Sequence, residues 1–267
     1  MEGIQQLSFE EVHWRQRTPT EILAAVHTLR KYHAQGLLGG QRMPEDANPG
    51  LPKASKEHFQ YLTLPMALNY QRNSYTLWES ALRTYHDPMT TFVFDPHQVV
   101  EASDDTLRQA LVKHRVALQP NRHVFIWQTL CRTLVTYYDG DIRNLFAVCD
   151  HDIGRILEEV QVKHKQDFPY LSGQKIAHYW LSVMLQYTSA PLKERNLLSI
   201  APDTHVIQAS IALGVVQKRD DLVSLRTQVA RAWNEILAGS DLSPIDVHTP
   251  LWLWSRNNFF PHVYLSE

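Results

Sequence analysis

The chain reads as an all-α protein, on three observations. Its apolar residues recur at helical rather than alternating spacing, helix-start chemistry stands just ahead of those stretches, and only Thr91-Phe92-Val93-Phe94 has strand character. That one β-like run is followed directly by Asp95-Pro96. With 267 residues and 44% hydrophobic content, the chain can bury one large core or two modest ones.

Taken in order, Thr18 is a candidate cap with Pro19 at the first helical position and Glu21 closing a capping box. Ile22, Val26 and Leu29 share one face, and Gly36 is the stop. Residues 39–55, rich in Pro, Gly and polar side chains, read as a long loop. A helix is expected from Glu57 through Tyr85, broken at Pro65. Ser103, Asp104 and Asp105 open the helix of Leu107 and Leu111, because acids in a first turn complement the helix dipole.

Trp127, Leu130, Cys131, Leu134 and Tyr138 follow at helical spacing and end at Asp139-Gly140. Ile153, Ile156, Leu157 and Val160 form a further stripe; Ile176, Trp180, Val183, Met184 and Tyr187 another. Leu222, Leu225, Val229, Trp233 and Leu237 line a late helix that stops at Gly239. No internal repeat, low-complexity tract or hinge-like linker separates halves that could fold alone.

A formal charge of −2 and a pI near 6.7 give no global attraction to a polyanion, so nucleic-acid binding would need a local patch. No run of about eighteen uncharged apolar residues occurs, and Met1-Glu2-Gly3-Ile4-Gln5-Gln6 lacks the regions of a secretory signal, so a cytoplasmic protein off the membrane is expected. Only Cys131 and Cys149 are present, too few for a disulfide framework. The fourteen histidines include no His-x-x-x-His pair with a well-spaced third ligand, so no metal is assigned. Cys149-Asp150-His151-Asp152 reads as a polar helix start, and Lys163-His164-Lys165 as a solvated basic turn.

The chemistry-bearing feature is an order of elements. A Gly-containing turn opens a helix at Leu171-Ser172-Gly173-Gln174-Lys175-Ile176-Ala177, and Pro202-Asp203-Thr204-His205-Val206 opens the next. This pattern resembles the helix-hairpin-helix DNA glycosylases, the superfamily of endonuclease III, the adenine glycosylase and the oxidised-guanine glycosylases. Superposed on their signature, Gly173 takes the second hairpin glycine, Lys175 the catalytic lysine, Ala177 the small residue after it and Asp203 the catalytic aspartate. The chain departs at the first hairpin glycine, replaced by Leu171. Lys175 and Asp203 stand 28 positions apart, the surplus lying in Pro191-Leu192-Lys193-Glu194-Arg195-Asn196, a loop extension.

The resemblance implies two helical lobes with a central cleft: residues 58–180 ending in the hairpin, and residues 1–57 with 181–267. It implies duplex DNA with a flipped base as partner, a monomer, and work in a bacterial or archaeal nucleoid or a nucleus. Many relatives carry a four-cysteine iron–sulfur loop, and two cysteines cannot make one, so no such cofactor is expected.

The chemistry needs these residue types. Breaking a base–sugar bond develops positive charge on the sugar, which a carboxylate such as Asp203 stabilises. A neutral lysine amine can attack the sugar carbon to give a Schiff base, and a first-turn position such as that of Lys175 disfavours the ammonium while a nearby carboxylate favours it. Backbone amides at Gly173, Gln174 and Lys175 can hold a phosphate without net positive charge, with His205 as a further DNA contact. Within Leu68-Asn69-Tyr70-Gln71-Arg72-Asn73, Gln71 is the candidate for filling the gap left by a flipped base, with Asn69 second. Tyr179, one turn after Lys175, and Trp252 and Trp254 are the candidate base-pocket residues.

Each has an ordinary reading beside the functional one. A lysine after a Gly turn is usually a solvated first-turn residue, an Asp before Thr an N-cap, and the tryptophans core aromatics. Two other functions use the same residues: hydrolysis of a free nucleoside, nucleotide or RNA, and a non-catalytic helical DNA binder.

Overall fold

The computed structural model describes residues 16–39 and 42–263. Parts of the expected 39–55 loop and of the segments 1–57 and 181–267 therefore lie outside the described residues. Among the described residues the regular structure is twelve α-helices with short 3-10 turns and one π turn, and the only β pairing is a single bridge between Asp152 and Lys193. The chain divides into two compact units, Arg42–Leu198 and Met1–Gln41 joined with Ser199–Glu267.

Within the Met1–Gln41 and Ser199–Glu267 unit, α1 (Pro19–Ala34) begins as its sequence predicts. Thr18 accepts from the Glu21 N–H, and Glu21 reaches back to the Thr18 N–H at 2.7 Å. It packs with α11 (Leu222–Leu237) and α12 (Pro244–Arg256), and α10 (Thr204–Ala212) packs with both of those. Trp233 of α11 is fully buried and donates its indole N–H to Ser210 of α10 at 2.9 Å, so this core aromatic leaves no orphaned donor.

The Arg42–Leu198 unit holds α2 (Lys56–Thr63), α3 (Ser74–His86), α4 (Pro96–Glu101), α5 (Asp104–Lys113), α6 (Pro120–Tyr138), α7 (Ile142–Val148), α8 (Ile153–Glu158) and α9 (Gln174–Tyr187). Long α6 packs against α4, α5 and α7, while α2 packs against α7 and α9. Trp78, Trp127 and Trp180 are each fully buried. A buried indole contributes roughly 4 to 6 kcal/mol before its ordering entropy is counted. The Trp127 N–H donates to Val93 O at 2.8 Å and the Trp180 N–H to Thr63 at 3.0 Å.

Several expectations are corrected. The β-like run Thr91–Phe94 is a 3-10 turn, because Asp95 caps α4 immediately after it and leaves no edge to pair. The helix expected from Glu57 to Tyr85 is three pieces: α2, a 3-10 turn at Pro65–Leu68, and α3, which Asn73 restarts by accepting from the Thr76 N–H. The 39–55 loop contains a 3-10 turn, Pro44–Asp46, closed by a 2.7 Å bond from the Met43 N–H to Asp46. Lys163 and Lys165 of the expected basic turn are exposed, but His164 between them is half-buried after the π turn Glu159–Lys163, 2.9 Å from Asp167, with its ring tilted 51° to that of Tyr137.

Residues 42–57 and 181–198 belong with α2 and α9, because the 42–48 segment and the end of α9 are bonded to one another. At the end of α6, Asp139 and Gly140 both adopt positive φ, and a Cβ on Gly140 would overlap the His97 ring, so glycine is required there.

Candidate active site

The turn before α9 is built from successive backbone bonds: Leu171 N–H to Pro169 O at 2.8 Å, Ser172 N–H to Phe168 O at 2.9 Å and Gly173 N–H to Tyr170 O at 3.0 Å. Tyr170 takes the left-handed conformation, φ 63°, that a hairpin glycine would otherwise supply. Leu171 is thereby released to bury its side chain completely. Gly173 is the N-cap of α9, and a Cβ there would meet the Tyr170 carbonyl oxygen at 3.1 Å, which favours glycine.

No side chain caps α9, and Gly173, Gln174 and Lys175 are all exposed. The positive end of the helix dipole therefore reaches the surface beside Lys175. Gln174 bonds one turn down to His178 at 2.9 Å, whose pKa is lowered by burial. Tyr179 shares the Lys175 face at i, i+4 and is half-buried, its hydroxyl donating to Glu45 Oε1 at 3.0 Å.

Glu45 is fully buried, and burial pushes its carboxyl up to about 7, against the opposing effect of hydrogen bonds from its own backbone and Tyr179. The Trp78 indole N–H also favours the charged carboxylate, yet Trp78 Nε1 and Glu45 Oε2 make no hydrogen bond of normal geometry.

Asn69 and Gln71 occupy the turn between the 3-10 turn and α3. Asn69 accepts from the Ser74 hydroxyl at 2.8 Å, a local structural bond, while Gln71 is exposed with φ 49°. Such a conformation in a non-glycine residue costs of order 1 kcal/mol or more and marks a held position. Tyr70 meets the ring of Tyr170 at 5.4 Å, and the Arg122 guanidinium lies 4.6 Å above that ring. Arg72 donates to Val116 O at 2.7 Å and Arg115 O at 3.2 Å. Tyr70, the neighbour of Gln71, thus joins the turn before α9 in an aromatic and basic patch. Tyr70 stands in the quoted segment, but nothing in the sequence pairs it with Tyr170 or Arg122, which lie far along the chain.

Asp203, His205, Trp252 and Trp254 lie in the Met1–Gln41 and Ser199–Glu267 unit. Asp203 is the N-cap of α10: Oδ1 accepts from the Val206 N–H at 2.9 Å, and Oδ2 accepts from the Trp252 indole N–H at 2.9 Å. Both oxygens are fixed, and the ordinary reading of Asp203 as a helix cap is what the Val206 bond shows. His205 packs edge-on against Trp252 at 5.4 Å and lies 3.3 Å from Ser255, which bonds Gln208 at 3.0 Å. Burial lowers the His205 pKa, the Arg256 charge adding to it and Asp203 opposing. Arg256 in turn sits 4.8 Å above the Trp252 ring. Trp254 is placed elsewhere: it donates to Pro261 O at 3.0 Å and packs on Phe259.

Among the described residues no group of three or more His, Cys, Asp or Glu could hold a metal ion. Cys131 and Cys149 are buried free thiols, and a four-cysteine iron–sulfur cluster does not fit them. No described helix is long and apolar enough to cross a membrane.

No family model matches the sequence, and no curated protein matches it. Among solved structures, the chain is similar to a trapped endonuclease III–DNA covalent intermediate in an estranged-adenine complex. The match has 16% identity and a TM-score of 0.51, over 90% of this chain and 86% of that one. The chain therefore has the all-α fold of endonuclease III.

Proposed function

We propose that the chain is a base-excision N-glycosylase acting on duplex DNA that carries a damaged base, an oxidised purine being the first candidate, with an associated lyase step. The observation that carries the reading is the carboxylate of Asp203, fixed at 2.9 Å by both Val206 and Trp252, in a chain whose fold is that of endonuclease III. A carboxylate immobilised before reaction stabilises positive charge on a sugar without reorganising.

In the proposed reaction the C1′–N bond breaks with its electron pair leaving on the base, and Asp203 stabilises the oxocarbenium-like sugar. The Lys175 amine donates its lone pair to C1′, loses a proton, and forms a Schiff base as the sugar ring opens. Loss of a C2′ proton then expels the 3′ phosphate by β-elimination. Gly173 and Gln174 at the start of α9 hold a backbone phosphate, Gln71 fills the gap left by the flipped base, Tyr179 and Trp252 contact the base, and His205 contacts the DNA. The enzyme would work as a monomer in a nucleoid or nucleus.

Borohydride trapping tests this on duplexes that carry single lesions or an abasic site, with Lys175→Gln and Asp203→Asn alongside the wild type. A covalent adduct with one lesion that disappears in the lysine variant supports the reading and names the lesion. No adduct and no base release on any duplex would sink it and redirect the search to nucleosides or RNA.

A further inference from the structure

The segment just before α2 is held down by four tyrosine hydroxyls. Tyr75 of α3 donates to Arg42 O at 2.7 Å, Tyr61 of α2 to Ala47 O at 2.7 Å, Tyr179 of α9 to Glu45 Oε1 at 3.0 Å, and Tyr187 of α9 to Asp46 Oδ1 at 2.9 Å. Tyr179 and Tyr187 stand two turns apart on α9, so consecutive acids of this strap fix that helix at two points. Lys175 lies one turn before the first of them.

Glu45 has no exposed surface, and its Oε2 has no hydrogen-bond partner. The groups that face it are Asp46 on its own turn, Tyr179 and Tyr187 from α9, and Trp78 from α3, with Tyr75 of α3 beside Tyr187 and Tyr61 of α2 at Ala47. None of these is a cation. A carboxylate buried among them carries the cost of desolvation without a paired charge. The cheapest relief is to open a one-turn element held by a few hydroxyls, rather than helices that bury tryptophans.

We propose that Glu45 is a positioning residue and latch: protonated, it keeps the 42–48 strap closed on α9, and on ionising it opens the strap and loosens the helix that carries Lys175. The effect on catalysis rests on the glycosylase reading above, whereas the latch itself does not. Because burial raises the carboxyl to about 7, the change falls in the neutral range.

Amide exchange, expressed as protection factors corrected for the intrinsic pH dependence, tests the latch. The reporters are the N–H groups of Asp46 and Ala47, bonded to Met43 O and Pro44 O. From about pH 6 to about pH 8.5, wild-type protection is expected to fall about tenfold, while Glu45→Gln stays flat. Tyr179→Phe removes a donor that favours the carboxylate, so its midpoint should move to higher pH. A flat wild type, or an equal fall in Glu45→Gln, overturns the proposal; if the glutamine variant does not fold, an unshifted Tyr179→Phe midpoint does so.

Adduct formation is measured in parallel. Wild type and Glu45→Gln should diverge above about pH 7, with the wild type the slower. Exchange that behaves as expected with no adduct at any pH leaves the latch standing and removes the glycosylase reading. Adduct formation with pH-independent protection does the reverse.

Discussion

Trp252 donates its indole N–H to Asp203 at 2.9 Å across 49 positions of sequence, tying α12 to the N-cap of α10. Val206 already satisfies the other oxygen from within α10. The carboxylate is therefore oriented by one local donor and one distant donor, and the distant one can be removed without breaking the cap.

Trp252→Phe should separate the two. A phenyl ring keeps most of the apolar contact and the helix cap survives, so folding is largely retained. Loss of a hydrogen bond to a charged group, worth about 1.5 kcal/mol, should slow single-turnover base release about tenfold. A rate unchanged from wild type would show that the indole bond does not serve the reaction.

Lys175→Gln and Asp203→Asn should fail differently. The lysine variant should lose the borohydride adduct entirely while base release persists at a reduced rate. The aspartate variant should lose base release, by at least about a hundredfold, yet still form adduct with a duplex that already holds an abasic site. Parallel loss of both activities in both variants would contradict the division of roles.

The basic patch gives a salt prediction. Arg122 stacks on Tyr170 immediately before the α9 turn. If it contacts DNA phosphate, Arg122→Gln should weaken duplex binding across sequences and flatten the dependence of log affinity on log salt by about one unit. Titrations at several salt concentrations read this directly, and an unchanged slope removes Arg122 from the interface.

Glu45 predicts how stability changes with pH. Its carboxyl ionises at about 7 in the folded chain against an ordinary 4.5, so between those values the folded state keeps a proton that the unfolded state has lost. Stability should therefore fall as pH rises from 4.5 to 7 and level off above, by roughly 3 kcal/mol from this group. Glu45→Gln should lack that fall, so the gap between the two proteins in denaturant titrations should widen over the same window.

Gly140→Ala should destabilise the Arg42–Leu198 unit by about 1 to 3 kcal/mol, because the position combines φ 63° with the His97 ring in the space of a Cβ. Gly36→Ala shares the positive φ but meets nothing within 4 Å, and should cost less. Thermal melts of the two variants measure the difference.

Much of the fold was legible because it is written locally. The Thr18 and Glu21 capping box, the stripe from Trp127 to Tyr138 and the stop at Asp139-Gly140 depend on neighbours within a few residues. The misread elements have equally local causes that compete with periodicity: Asn73 restarts a helix that Pro65 had interrupted, and Asp95 caps a helix where Thr91–Phe94 might have extended. Around the candidate site, the helix starts at Gly173 and Asp203 were legible because the motif runs in order. It was illegible where partners are distant in sequence. Glu45 is bonded to a tyrosine 134 positions away, and Asp203 to a tryptophan that could equally have been plain core.

The division of the chain also bears on the order in which it is made. Arg42–Leu198 is one uninterrupted stretch, so its packing can be completed as it leaves the ribosome. Helix α1 is synthesised before that stretch, and its partners α11 and α12 after it. Its apolar stripe of Ile22, Val26 and Leu29 must wait through the synthesis of the whole intervening unit, so nascent chains stalled before α11 should expose that stripe to chaperones.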